Sequence, residues 1–452
     1  MKTFCIIGLG ISGMVSARHC LKQGYQIKIL EKESDIGGVW LTKTYPGIRL
    51  QTTKHSYAFS DYPHLQKTSL YPTKEELLLY YNRYCDKHHI KEKCAFNSQV
   101  YNTEYDRMNN KWVIYYRNTQ TNNRTRIIVD YLIICSGIYN VKKQTIKIEP
   151  TNNKIICPEQ LSDKTINNLT NKNIVIVGNG PTGCDIAELC HKYKAKKITL
   201  LYRSERWIFQ RYLWDTVSTH NFLCRFNMKI AKILPKHIYI CFLTIIYYFL
   251  YIFSHKRLGL NIKSPYNVVN RGNLVLNETM LDLINDKSID YIKTKTIHIN
   301  NEAINYTTIS SNTTISNTTK INYDYCFICT GYDTNLNFIG LNKLPDLYNK
   351  IIHPKLKQCA FIGFAESFNW IQVSELQIRW YLNYIKHEFN STKIMRLLVN
   401  EQKPISEYLY NDLAVNAYDY CDRLSNTIKL KPKYNIYHIK YWFKVVEFDF
   451  WG

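Results

Sequence analysis

A short apolar run, Phe4-Cys5-Ile6-Ile7, ends at Gly8-x-Gly10-x-x-Gly13, and a helical pattern begins at once (Met14, Val15, Ala17, Leu21). Gly24 closes that helix, and a second strand, Gln26-Ile27-Lys28-Ile29-Leu30, ends in Glu31. Strand, glycine turn, helix and strand within about thirty residues predict a βαβ unit, and a crossover of this kind forces the two strands to be parallel. Gly8 makes the tight turn, Gly10 lets the backbone approach a pyrophosphate, and Gly13 lets the helix lie close to the strand. The free N–H groups and positive dipole end of the helix, where Ser12 lies, favour a phosphate. Glu31, followed by Lys32, is placed to accept hydrogen bonds from a ribose hydroxyl. Glycines alone also serve ordinary turns; the order of elements and the terminal acid carry the reading.

The pattern recurs. Asn173–Val177 leads into Gly178-x-Gly180-x-x-Gly183, which includes Thr182. A helix with Asp185 to Cys190 follows, then a strand Lys197–Tyr202. Where the first unit has Glu31 the second has Arg203, with Arg206 close by. A carboxylate there suits a free ribose hydroxyl, whereas a guanidinium suits a 2′-phosphate. The first site therefore reads as FAD and the second as NADPH. The expected fold is α/β, with two Rossmann-like, three-layer dinucleotide-binding domains, the NADP domain inserted into the FAD domain. The segments are 1–150 (FAD domain, first part), 165–322 (NADP domain), 323–400 (FAD domain, second part) and a tail, 401–452.

Between the units, Gly37-Gly38-Val39-Trp40 offers close backbone approach and a ring wall for a cofactor. Thr73, with Glu76 three residues on, forms a capping-box start for a helix through Leu77–Tyr84. Phe96–Tyr105, Trp112–Arg117 and Arg126–Cys135 read as antiparallel strands turned at Asn109-Asn110 and Asn122-Asn123. The last ends at Ser136-Gly137. The apolar strand Tyr325–Cys329 ends the same way, at Thr330-Gly331, so Gly137, Thr330 and Gly331 are placed as cofactor contacts. A further strand, Cys359–Gly363, and a helix, Ser374–His387, follow.

The net charge of +23 comes from scattered lysines in a chain rich in Asn, Ile, Lys and Tyr. No basic run interleaved with aromatics forms a nucleic-acid groove, so no nucleic-acid partner is expected. The 14 cysteines lack the spacing of a secreted disulfide framework. The first strand begins near residue 3, which leaves no room for a signal peptide, and a cytoplasmic side is expected. Cys326-x-x-Cys329 lies inside a strand, whereas a redox pair opens a helix, so both read as structural thiols.

An insert at 222–262 contains the apolar run 238–253, flanked by Lys232, Lys236 and His237 and by His255, Lys256 and Arg257. It is shorter than the ~20 residues of a spanning helix. Its aromatics and basic flanks suit peripheral or monotopic contact with a membrane surface; a buried core helix is the other reading.

Two GxGxxG units, Ile36-Gly37-Gly38-Val39-Trp40 and the Thr330-Gly331-Tyr332 strand end together resemble the flavin-containing monooxygenases from residue 1 to about 390. The likeness is strongest to plant defence-type members, through Leu50 to Lys54, Ser56 to Asp61, Tyr71-Pro72-Thr73, Ile352-His353-Pro354, Phe361 to Phe364 and Ser374-Glu375-Leu376 with Arg379-Trp380. The resemblance implies an NADPH- and O2-dependent enzyme. Its reduced FAD forms a C4a-hydroperoxyflavin that oxygenates the nitrogen or sulfur of a small amine or thioether. It further implies that Gln51 hydrogen-bonds near the flavin, that Thr52 touches the cofactor, and that the helical insert docks on membranes. The family's linker fingerprint, Phe-x-Gly-x-x-x-His-x-x-x-aromatic, reads Thr151, Asn153, Cys157 and Leu161 here, and none matches. Alternatives are a Baeyer–Villiger-type oxygenase, faintly echoed by Tyr45-Pro46-Gly47 and Arg49, a flavin disulfide reductase, and a membrane-associated NADPH oxidase or flavoprotein without efficient oxygenation.

Overall fold

The structure, a computed structural model, describes residues 2–143, 146–148, 153–213, 217–218, 274–308, 318–367, 369–387 and 417–430, with Pro235, Ile238, Cys241, Ile245, Tyr248, Phe249 and Leu260 singly. Most of the insert 222–262 and of the tail 401–452, and Thr151 of the linker, lie outside the described residues.

The first unit forms as its pattern requires. β1 (Thr3–Ile7), helix α1 (Ile11–Lys22) and β2 (Gln26–Leu30) make a parallel pair in register Thr3↔Gln26 to Ile7↔Leu30. Helix α2 (Val39–Thr42) follows. Helix α3 (Lys74–Lys87) starts on the expected capping box: Glu76 N donates to Thr73 Oγ1 at 3.3 Å, and Thr73 N donates to Glu76 Oε2 at 2.9 Å. The chain returns through β3 (Cys94–Ala95) to an antiparallel meander, β4 (Ser98–Asp106), β5 (Lys111–Asn118) and β6 (Arg124–Val129). Its turns carry Asn110 and Asn122 at φ of 51° and 59°, a conformation asparagine tolerates.

The single strand expected over Arg126–Cys135 is two. β6 pairs β5, whereas β7 (Tyr131–Ile134) joins β1 in the parallel sheet. Asp130 makes the break: its Oδ2 accepts from Thr3 N and Thr3 Oγ1, both at 2.8 Å, which pins the corner to the start of β1.

β8 (Val141–Lys142) leads out of this domain, and β9 (Lys147–Ile148), β10 (Ile155–Ile156) and helix α4 (Asp163–Asn167) lead into the second. The second unit repeats the first with β11 (Asn173–Val177), helix α5 (Pro181–Lys192) and β12 (Lys197–Tyr202). Short strands β13 (Trp207–Phe209), β14 (Tyr212–Leu213), β15 (Val217–Ser218) and β16 (Leu274–Leu276) and helix α6 (Met280–Asn285) lie beyond it. β17 (Asp290–Ile299), β18 (Ala303–Thr308) and β19 (Thr318–Asn322) complete one side of the second sheet.

β20 (Tyr325–Ile328) lies between β10 and β11 in the second sheet, whose order is β10-β20-β11-β12-β17-β18-β19. The return to the first domain therefore comes after Gly331, not at 323, and the second sheet already takes β10, ahead of 165. β20 pairs in parallel with both β10 and β11, which holds it in the second sheet. β21 (Tyr332–Asp333) pairs antiparallel with β8, so both inter-domain crossings run in one two-stranded ribbon. β22 (Cys359–Phe361) completes the first sheet, order β22-β7-β1-β2-β3, and helix α7 (Trp370–Lys386) packs on α1; helix α8 (Ala417–Thr427) packs on α7.

The first sheet is apolar on both faces, as a covered parallel sheet must be. Phe4, Ile6, Ile29 and Ile133 face α1, α3 and α7, while Cys5, Ile7, Leu30 and Leu132 pack on Trp112 and Ile114 of the meander. Cys326 and Cys329 are buried without a disulfide, and burial pushes both thiols upward, as structural thiols require. Among the described residues no helix is long and apolar enough to cross a membrane.

Candidate functional site: two dinucleotide cradles

The two glycine motifs have the same geometry. Gly8 and Gly178 hold φ of +97° and +110°, which a side chain would strain. A Cβ on Gly8 would stand 2.7 Å from Cys135 O, and one on Gly178 would stand 2.4 Å from Cys329 O. A Cβ on Gly13 would meet Gly8 O at 2.0 Å, and one on Gly183 would meet Gly178 O at 1.9 Å. In each unit, then, the first helical turn sits on its own strand, and the neighbouring strand ends against the first glycine. Gly10 and Gly180 are extended residues immediately before α1 and α5, which leaves the first helical N–H groups free for a phosphate.

The first cradle opens into a cavity of about 500 Å³. Gly8, Gly10, Ser12, Glu31, Lys32, Gly38, Val39, Trp40 and Gly137, all named from the sequence, line it. Gly13 supports it from behind. Gly38 closes on Gly10: a Cβ there would lie 3.1 Å from Gly10 Cα. Ser12 Oγ is 3.1 Å from Ser374 Oγ on α7. Trp40 Nε1 donates to Tyr57 Oη at 3.3 Å, which holds the indole as a wall.

Glu31 is buried at the end of β2. Its Oε2 accepts from Leu9 N at 2.5 Å and its Oε1 from Glu33 N at 3.0 Å. Burial raises its pKa, against the pull of those two backbone bonds. The carboxylate thus holds the glycine turn while it lines the cavity.

Sequence reasoning did not identify several wall residues. Gln99, Tyr101 and Arg117 reach in from the meander, with Arg117 Nη2 donating to Gln99 Oε1 at 3.0 Å. Phe338, Gly363 and Trp370 come from the far end of the chain. Only the register of β4 with β5 and the return of β22 beside β7 bring them to Gly10.

Other expected contacts lie elsewhere. Gln51 does not line the cavity; its Oε1 accepts from Leu276 N at 3.1 Å, on the second domain. Thr52 is buried beside it with an unpartnered Oγ1. Thr330 Oγ1 donates to Lys143 O at 3.3 Å, and Gly331 O accepts from Lys143 N at 3.1 Å. Both belong to the crossing ribbon at the end of the second sheet, next to the second cradle. Thr182 lies in the first turn of α5, and Arg203 is exposed just past β12. Glu205 is engaged by Lys293, so this nearby acid is already paired. In the linker, Cys157 N donates to Gln160 Oε1 at 3.0 Å, and Leu161 packs on the second domain's core. Among the described residues no His, Cys, Asp and Glu group could hold a metal ion.

The chain matches the flavin-binding monooxygenase-like family over residues 1–442. A macaque (Macaca mulatta) protein named dimethylaniline monooxygenase [N-oxide-forming] 2 is 24% identical over 96% of this chain and 84% of its own length. The structure of OTEMO, solved with FAD and NADP, superposes with a TM-score of 0.72 at 15% identity over 95% of this chain and 98% of that one. An S-allyl-L-cysteine S-oxygenase from Allium sativum gives 0.63 at 17% identity over 94% and 88%. With a two-cradle architecture that fits FAD and NADP and a family match over nearly its whole length, the chain belongs to the flavin-binding monooxygenase-like family and is a flavin-dependent monooxygenase.

Proposed function

We propose that the chain is an NADPH-dependent N- or S-monooxygenase that works through a C4a-hydroperoxyflavin on a small amine or thioether. The observation that carries this is the pair of cradles with opposite partners at the second strand end: buried Glu31 in one and exposed Arg203 in the other. FAD supplies the oxygen chemistry, and the protein supplies binding, orientation and exclusion of water. Gly8, Gly10 and Ser12 take its pyrophosphate, Glu31 its ribose, and Trp40 walls its rings. Gly178, Gly180 and Thr182 take the NADPH pyrophosphate, Arg203 its 2′-phosphate, and Thr330 and Gly331 flank it. Gln51 and Thr52 stand at the seam between the two domains, where hydrogen bonding to the flavin edge is proposed. The names of the two relatives that form N-oxides and S-oxides support nitrogen and sulfur as acceptors.

The test is to reduce the FAD-loaded protein with NADPH, then mix it with O2. A flavin–oxygen adduct that persists until a tertiary amine or thioether is added supports the reading. Immediate reoxidation with stoichiometric H2O2 would sink it.

We further propose peripheral membrane contact through 238–253, on the cytoplasmic side. Of the residues described there, Ile238, Ile245, Tyr248 and Phe249 are large, apolar and exposed. Flotation with anionic vesicles should carry the full chain upward and leave a variant lacking 238–253 behind; equal flotation counts against the proposal.

A further inference from the structure

We propose that Asp185 is the positioning residue that fixes the second cradle against the first domain, and that Tyr45 and Asn277 act through it to set how NADPH meets the flavin. This rests on reading the second cradle as the NADPH site.

Asp185 lies on α5, the helix that Gly180 opens. Tyr45 Oη, from the first domain, donates to its Oδ2 at 2.9 Å. Asn277 Nδ2, just after β16, donates to its Oδ1 at 3.0 Å and to Glu188 Oε2 at 3.1 Å. The Asn277 carboxamide has no freedom to turn, because its Oδ1 accepts from Thr279 N at 3.1 Å and Met280 N at 2.8 Å. Its own N–H donates to Phe209 O at 2.9 Å, so β13, β16 and α6 all bear on one rigid, buried donor. Tyr45 belongs to the first domain by sequence, yet its ring packs in the second domain's apolar cluster with Ile174, Ile208 and Val275. The neighbouring Gln51–Leu276 bond lies on the same seam. A carboxylate with one oxygen held by each side is therefore the joint between the loop near the flavin and the helix under the second cofactor.

The joint is sensitive to protons. Burial raises the Asp185 pKa to about 6, while Arg211, Asn277 and Tyr45 favour the charged form and Glu188 opposes it. The other titratable groups facing the joint are the Cys184 and Cys329 thiols. Arg211 is itself paired with Glu278 at 2.9 Å. Tyr45 is pushed well above its ordinary value, so it stays a neutral donor. The ionised carboxylate accepts from both sides; protonation removes the charge both donors face and, at Oδ2, reverses the bond so that the carboxyl donates to Tyr45 Oη.

The test mixes FAD-loaded protein anaerobically with saturating NADPH and follows the bleaching of the flavin. In the wild type the limiting rate should fall as pH drops through about 6. Tyr45→Phe and Asp185→Asn should lower it about tenfold at neutral pH, by misplacing two cofactors that must meet, and should abolish that limb. Asp185→Asn, which leaves the contact of Tyr45 with Thr182 in place, should keep NADP+ affinity and FAD content near wild type. Glu375→Gln, in the first domain, should keep the limb. If Asp185→Asn fails to fold, Tyr45→Phe, which removes one oxygen, decides alone. A Tyr45→Phe enzyme with wild-type rate and limb overturns the proposal, as does a rate loss matched by lost NADP+ binding. A wild type that NADPH cannot bleach fails the reading of the second cradle instead.

Discussion

A methyl group at Gly183 would lie 1.9 Å from Gly178 O, a contact that only movement of α5 away from β11 relieves. Gly183→Ala should therefore leave FAD content intact and weaken NADPH at least tenfold, about 1.4 kcal/mol; titration of each purified variant with NADP+ measures this, and undiminished affinity would refute the role given to the turn. Arg203→Ala should raise the KM for NADPH far more than that for NADH, since only the former carries the 2′-phosphate; equal losses would remove the phosphate assignment. Both glycine turns were legible because the φ and the close approach they need leave a local mark in the sequence. What each turn abuts was not. Cys135 O and Cys329 O reach Gly8 and Gly178 by strand pairing over long sequence separations, and no local pattern encodes a carbonyl's position. Gln51 came forward only through the family resemblance, and the meeting of its carboxamide oxygen with Leu276 N across the domain seam has no local mark either.

Helix α7 carries a buried carboxyl group. Glu375 is buried on this helix, with Oε1 accepting from Ser60 N at 3.1 Å. Burial raises its pKa to about 7, more than the Ser60 bonds and Arg18 lower it. A raised carboxyl pKa means that the folded state binds a proton the unfolded state has lost, so stability falls as pH rises from the ordinary carboxylate range through about 7 and is flat above it. The effect is on the order of 3 kcal/mol. Glu375→Gln, which cannot titrate, should remove this part of the slope in urea midpoints measured between pH 5 and 7.5; an unchanged slope would place the titration elsewhere. The helix itself was legible from its apolar periodicity, though it begins at Trp370 rather than Ser374. The meander was legible from its asparagine turns. The break at Asp130 was not, because Asp130 is the only residue between β6 and β7, and what turns it into a corner is its bonding to Thr3 at the other end of the domain.

Across the whole molecule, the two crossings share the β8–β21 ribbon, and one ion pair ties that ribbon to the linker: Lys142 Nζ lies 2.9 Å from Glu159 Oε1. The repeat of the glycine motif made the two-domain plan legible, but the exchange of β20 into the second sheet was not, since a buried parallel strand reads alike in either sheet. The linker that departs from the family fingerprint is thus held by contacts of its own. Burial alone would raise the Glu159 pKa, yet Lys142 and neighbouring donors hold it below the ordinary range, so the acid is charged where the domains meet. Tyr332, on the facing strand, is pushed up first by burial and then by the same carboxylate, so its phenol stays neutral beside that charge. Glu159→Gln keeps the shape and removes the charge that Lys142 pairs with. With the ribbon less firmly attached, the domains should hold the oxidised nicotinamide less steadily over the flavin, and more of the reducing power should escape as H2O2. H2O2 released per NADPH consumed should rise at least twofold, while FAD content and NADPH affinity stay unchanged, because neither cradle includes Glu159. A variant that releases no more H2O2 than wild type would mean that the domain orientation is set at the Tyr45–Asp185 seam alone, and the double variant Glu159→Gln with Tyr45→Phe would then behave as Tyr45→Phe does.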